Sequence, residues 1–254
     1  MSFRVSSLIS AAALACGGLC GIFAAAAAPS LVAPFSAAAP GGALPSGWTR
    51  TDIKGVETRT AYRLVGDEGV TVLRADAQAS ASALVYKVSV AAGADPVLQW
   101  RWKVSDVLKT SNPATREGED YAARVYVMFD YPLERLPLAD RMRIMLARAF
   151  YDPSVPAAAL CYVWDSRLPA GTVLKSPYTS RVRIIVADSG PQHAGQWRTV
   201  ERNVADDFRQ AFGEEPPAVS AVALATDTDN TREKVTAWYG DIVLKKRGVT
   251  DPAE

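Results

Sequence analysis

Histidine and cysteine are scarce in this chain, and their scarcity removes whole classes of chemistry. Among 254 residues there is one histidine, His193, and three cysteines, Cys16, Cys20 and Cys161. Two of the cysteines fall in an apolar N-terminal run that reads as an export segment. Once that run is removed, Cys161 has no intramolecular partner, which excludes a disulfide framework and a cysteine-based zinc site. Neither sign of charge predominates: 28 basic and 27 acidic residues leave a formal net charge of +1. A balance that close provides no global field for nucleic acid or an anionic membrane. A phosphate-cradling glycine loop, a G-x-S-x-G elbow and an H-E-x-x-H helix are absent, which argues against NTPase, hydrolase and zinc-protease readings.

What the chain does have begins with its N-terminus. Arg4 precedes a run over 8–28 that is apolar or small throughout and closes on alanines 24–28, the pattern of a secretory signal. Cleavage is expected near Ala28, with Ala33 and Ala39 as later sites. Retention as a membrane anchor, which twenty apolar residues allow, stays open, although alanine and glycine are weakly hydrophobic and favour a signal. So does lipidation at Cys16, which follows Ala13-Leu14-Ala15 in a loose lipobox. The expected location is periplasmic or secreted, with a lipoprotein through Cys16 as the alternative. The expected organisation is a signal peptide over 1–28, a flexible Ala/Pro/Gly leader over 29–45, one domain over 46–247 and a tail over 248–254.

Beyond the leader, period-2 patterns recur. Leu98, Trp100, Trp102 and Val104 alternate with Gln99, Arg101 and Lys103, and Val125, Val127 and Phe129 alternate with Arg124, Tyr126 and Met128. Such alternation marks half-buried strands. Strand-length segments are also expected at 70–74, 83–90, 159–164, 181–187, 197–203, 219–226 and 236–244, separated by Gly, Pro, Asp, Asn and Ser. The fold class expected is all-β, an antiparallel sandwich of jelly-roll type, with two short helical insertions. Leu138, Met142, Met145, Leu146 and Ala149 recur at helical spacing and predict a helix over 136–150, its apolar stripe packed on the sandwich and its arginines solvated; a basic amphipathic helix lying on an anionic membrane or binding a partner is the alternative. A second helix is expected over 203–213, with Asn203 as N-cap, Asp206 and Asp207 at its positive end and Gly213 as its left-handed stop.

Several residues are candidates for a site. Asp227, Asp229 and Asn230 lie in a Thr/Asp/Asn run over 226–231 that follows a strand, and they offer hard oxygens of the kind calcium prefers. The run departs from an EF-hand loop, with Arg232 where glycine is required and Trp238 where the bidentate glutamate belongs. A self-bonding Asx turn, a contact to a polar ligand and a calcium site all remain readings of it. Alternation places Asp120 and Arg124 on one face, where they form a surface ion pair or line a concave sheet face beside Tyr126. The tryptophans Trp100 and Trp102 share a face with Leu98 and Val104, which predicts core packing rather than a stacking platform. His193 sits in a loop by its punctuation. With Glu119, Asp120 and Tyr121 it is a candidate acid or base if the chain is an enzyme.

Longer runs carry a resemblance. LQWRWKV (98–104), DYAARVYVMFD (120–130), LCYVWD (160–165), the stretch 189–217 and the stretch 223–244 together resemble the bacterial secreted family known as domain of unknown function 3047. The likeness spans about residues 46–245 and implies export and a β-sandwich, but no catalytic residues. More distantly the layout is similar to galactose-binding-like and concanavalin-like sandwiches, an analogy of fold alone. The function expected is an exported module binding a carbohydrate or cell-envelope glycan. The alternatives are a glycan-active enzyme (polysaccharide lyase or hydrolase) and an envelope assembly protein that binds another protein. No cofactor is expected beyond the calcium reading, and no nucleic acid.

Overall fold

The computed structural model describes residues 30–150 and 155–246. The export segment with Cys16, and the tail over 248–254, lie outside the described residues.

Among the described residues thirteen strands form two sheets. The first has the order β11 (Arg198–Asn203), β6 (Pro96–Val104), β13 (Lys234–Lys246), β4 (Val70–Gln78) and β3 (Ala61–Asp67), with β1 (Ser30–Ala33) also pairing β13. The second has the order β2 (Trp48–Asp52), β5 (Ser82–Val90), β12 (Val219–Ala225), β7 (Arg124–Phe129), β8 (Ala158–Asp165), β10 (Val182–Ser189) and β9 (Val173–Lys175). Pairing is antiparallel except between β8 and β10, which run parallel. A parallel pair needs a crossover; here it is the segment over 166–181, which carries β9.

The two alternating runs read from the sequence become the facing walls of the core. Leu98, Trp100, Trp102 and Val104 of β6 are buried against the inward residues Val125, Val127, Tyr162 and Trp164 of β7 and β8. Trp100 meets Tyr162 with ring centroids 5.2 Å apart, and Trp102 meets Trp164 at 6.0 Å. Indole N–H groups need partners when buried: Trp102 Nε1 donates to Asp188 at 3.0 Å and Trp164 Nε1 to the Gly190 carbonyl at 3.0 Å.

The second helix is as expected. α2 (Val204–Phe212) is capped by Asn203, whose side chain accepts from Asp206 N at 2.8 Å, and it stops at Gly213 with φ 75°. Two expectations are corrected. The segment taken as a flexible leader is structured from residue 30: β1 pairs the C-terminal half of β13, and Val32, Ala33 and Phe35 are buried. The apolar side chains in that segment find an uncovered edge of the core, which composition alone does not show. The first helix, α1 (Leu138–Phe150), turns its stripe outward: Leu138, Met142, Met145 and Leu146 are exposed while Ile144 is buried. The surface offered to α1 accepts the side of the helix bearing Ile144.

The outer faces of the two sheets differ. On the first sheet Lys103 pairs with Asp67 and lies over both Trp197 and Trp238, at 5.1 and 4.9 Å from the ring centroids, with Arg101 over Trp197 and Arg74 over Trp238. This cation–π ladder covers that face. On the second sheet, the β8 and β10 half is capped by loops over a small apolar cluster of Tyr121, Cys161, Val163, Ile184 and Val186. The half built from β2, β5, β12 and β7 is left open.

Candidate functional site

The open half of the second sheet forms a cleft of about 670 Å³. Its floor is set by the central strand β12, where Ala221, Ala223 and Ala225 face outward while Val222 and Leu224 face the core. Register explains the shape. Ala223 lies between Val85 of β5 and Tyr126 of β7, and Ala225 between Ala83 and Arg124. A row of methyl groups between rows of larger side chains makes a trough.

One end of the trough is polar, and Arg124 organises it. The guanidinium is buried and each of its five N–H donors is used. Nε donates to Asp227 Oδ1 at 2.7 Å and Nη2 to Asp227 Oδ2, a bidentate pair. Nη2 also reaches the Glu119 carbonyl at 2.7 Å, and Nη1 reaches Glu119 Oε1 at 3.0 Å and the Tyr126 hydroxyl at 3.2 Å. The plane of the group lies over the Tyr121 ring, 4.6 Å from its centroid. Burial disfavours the Arg124 charge, but Asp227 and Glu119 outweigh it and hold its pKa above the ordinary arginine value. Burial pushes the Asp227 carboxyl up to about 7, with Asp120 and Glu119 adding to the shift and Arg124 opposing it. Asp229 is raised as well, by burial first and then by Asp120.

The loop carrying Asp227 is held from behind. Thr226 and Thr228 are fully buried. The Thr226 carbonyl accepts from Thr60 Oγ1 at 2.7 Å, and the hydroxyls of Thr226 and Tyr239 lie 2.8 Å apart. Thr228 N donates to the Ser80 carbonyl at 2.9 Å, and its Oγ1 accepts from Ser80 N. With the threonines turned in, Asp227, Asp229 and Asn230 turn toward the cleft.

Of the residues proposed from sequence, Arg124, Tyr126, Asp227, Asp229 and Asn230 line this one cleft. Asp120 does not pair with Arg124, because the chain at 120 has not yet entered β7 and its carboxylate turns to the opposite loop. There it accepts from Asn230 Nδ2 at 2.9 Å and from Thr231 N and Oγ1. In the 227–230 run Asp227 and Asn230 take long-range partners, while Asp229 keeps a bond to its own backbone, as a self-bonding Asx turn would have it. Glu119 lines the cleft, whereas the buried Tyr121 hydroxyl finds no hydrogen-bond partner among the described residues. His193 is placed elsewhere, in the turn between β10 and β11, outside the cleft lining.

Two features escaped the sequence reading. The alternating alanines of β12 are one, and their signal was the run VSAVALA itself. The other is Tyr178, 49% exposed and lining the cleft from the crossover. Its hydroxyl donates to the Arg116 carbonyl at 2.9 Å, which fixes the ring; nothing local in the sequence marks it.

Carboxylate oxygens of Asp120, Asp227 and Asp229 lie within 4.8 Å of one another. A calcium ion takes six to eight oxygens. Here Asp227 gives both oxygens to Arg124, and Asp120 is engaged by Asn230 and Thr231. Of the three carboxylates, Asp227 is bonded to the guanidinium, and a cation held by it would have to displace that pair.

A two-sheet sandwich with a ligand-sized trough on the open half of one sheet is the class of protein these features define. The chain belongs to the family described as protein of unknown function (DUF3047), whose model matches residues 46–243. No curated protein shows significant sequence similarity to it. Among solved structures it is similar to the family 11 carbohydrate-binding module of the cellulosomal cellulase Lic26A-Cel5E of Clostridium thermocellum. The identity is 8%, over 89% of this chain and 98% of that chain, with a TM-score of 0.42. It is also similar to the xyloglucanase domain of NopAA, a type three effector from Sinorhizobium fredii, in complex with cellobiose (8% identity, 83% and 97% coverage, TM-score 0.41). A seed lectin of Lotus tetragonolobus is a third (10% identity, 82% and 96% coverage, TM-score 0.34).

Proposed function

We propose that the protein is exported and that its cleft binds a segment of a glycan of the cell envelope or its surroundings. The observation that carries this reading is the pairing of an alanine-floored trough with one fixed polar end. A pyranose ring has apolar CH faces and equatorial hydroxyls. The CH surface is accommodated by the methyl floor, Met128 and the Tyr178 ring. The hydroxyls are met by the carboxylates of Glu119 and Asp229 and by the Asn230 amide, while the Tyr126 hydroxyl is committed to Arg124 and the Cys161 thiol. These groups are held by a buried network, so little ordering is required on binding. Export is supported by the N-terminal pattern of a short basic start, an apolar run and a small-residue close.

Titration calorimetry of the full chain against neutral and acidic envelope oligosaccharides tests the reading, with product analysis alongside to detect cleavage. Binding in the micromolar to millimolar range is expected, weakened about tenfold or more by Tyr178→Ala. Absence of heat at millimolar ligand across the panel would rule the reading out.

A further inference from the structure

Four of the six exposed large hydrophobic side chains among the described residues lie together on the outward stripe of α1. Leu138 is 74% exposed, Met142 49%, Met145 46% and Leu146 51%. At about 100° per residue these side chains, with Ala149, occupy one arc of roughly 100° on the helix. The arc is bordered by arginine on both sides: Arg141 and Arg148, whose Nε donates to the Val155 carbonyl, follow it on one flank, and Arg143, exposed and 3.3 Å from Asp140, on the other. The opposite side faces the protein through buried Ile144 and through Asp140, which accepts from Ser180 Oγ at 3.1 Å. Across 133–150 there are four arginines and two acids. An element that packs by its polar side and presents leucine and methionine between arginines departs from the usual orientation of a surface helix.

We infer that α1 is a docking element for an anionic lipid surface, lying in the interface with its apolar arc inserted and its arginines at headgroup level. The occupant follows from the charge arrangement. An apolar partner protein needs no border of cations, whereas an anionic bilayer rewards both the arc and its two flanks. The helix is about 20 Å long, and among the described residues no helix is long and apolar enough to cross a membrane. It therefore lies on the surface. Arg148, Val155 and Pro156 also line the cleft, so docking through α1 would place the cleft rim beside the membrane. This inference does not depend on what the cleft binds.

Hydrogen exchange on the full chain, with and without vesicles of phosphatidylethanolamine and phosphatidylglycerol, reads the helix locally and is insensitive to other attachment points. Amides over 138–149 are expected to slow about tenfold or more with these vesicles and to be unchanged with phosphatidylcholine alone. Met142→Glu with Leu146→Glu should abolish the protection. Arg141→Glu with Arg143→Glu should weaken vesicle binding by more than about twentyfold, at roughly fivefold per arginine neutralised, and high salt should do the same. All four side chains are at the surface, so melting temperatures should stay near that of the parent. Protection that is absent, or that survives both double variants, would overturn the inference. So would protection that appears without lipid as protein concentration rises, which would assign the arc to a second copy of the chain.

Discussion

Truncating Asp227 to alanine tests the network on which the polar end of the cleft depends. In the parent structure Arg124 is buried and donates to Asp227 through Nε and Nη2, to Glu119 through Nη1 and Nη2, and to Tyr126 through Nη1. Removing the Asp227 carboxylate strands two donors and half of the compensating charge. Breaking a buried pair from one side costs about 3–5 kcal/mol. For a domain of this size, each kcal/mol moves the melting temperature by about 2–4 °C, so a fall of roughly 6–20 °C is expected. The double variant Arg124→Met with Asp227→Leu removes both charges and fills the space with apolar groups. Its cost should fall short of the sum of the single changes by about 1.5 kcal/mol or more, the remainder reflecting an unpaired Glu119. Urea denaturation of the parent, Arg124→Met, Asp227→Leu and the double variant closes the cycle, with Asp227→Ala measured alongside. A cost below about 1 kcal/mol for Asp227→Ala, or strict additivity, would refute the argument that this pair organises the site.

Three further outcomes are expected. The Asp227 carboxyl is raised from an ordinary value of 3.8 to about 7 by burial. The folded state therefore holds that proton more tightly than the unfolded chain, and the resulting stability is full below about pH 4 and lost as pH rises through about 7. Asp227→Asn should remove this component from the pH dependence of unfolding, and an unchanged slope would count against it. Phe35→Ala should cost about 3–5 kcal/mol in urea denaturation, since the ring is fully buried and lies 5.7 Å from Trp48; a loss below about 1 kcal/mol would put residues 30–37 outside the cooperative core. Millimolar calcium should leave the melting temperature unchanged because both oxygens of Asp227 are taken by Arg124 and Asp120 is engaged by Asn230 and Thr231, whereas a rise with calcium concentration would show that metal displaces these partners.

The β-rich architecture was legible because alternation is a local property. Leu98, Trp100, Trp102 and Val104 point one way whatever they pack against, and so do Val125, Val127 and Phe129. The caps of α2 were legible for the same reason, since Asn203 and Gly213 act within one turn of the helix. The site was legible in part. Arg124, Tyr126, Asp227, Asp229 and Asn230 were singled out by residue type, and the pairing of β7 with β12 brought them to one cleft.

The sequence by itself determined which side chains share a face, where the chain turns and which residues bear charge. It did not determine who partners whom. Arg124 pairs with Asp227, 103 positions away, rather than with Asp120, because β7 and β12 are neighbours in the sheet. The alanines of β12 become a floor only because Val85 of β5 and Arg124 and Tyr126 of β7 rise beside them. The stripe of α1 is equally apolar whether it faces core or solvent, and periodicity reports only that such a stripe exists. Its direction was decided by the surface the sandwich offered, which accepted Ile144 and left Leu138 and Met142 outside. Pattern within a segment is set by backbone geometry over a few residues, whereas partners are set by the packing of the whole chain.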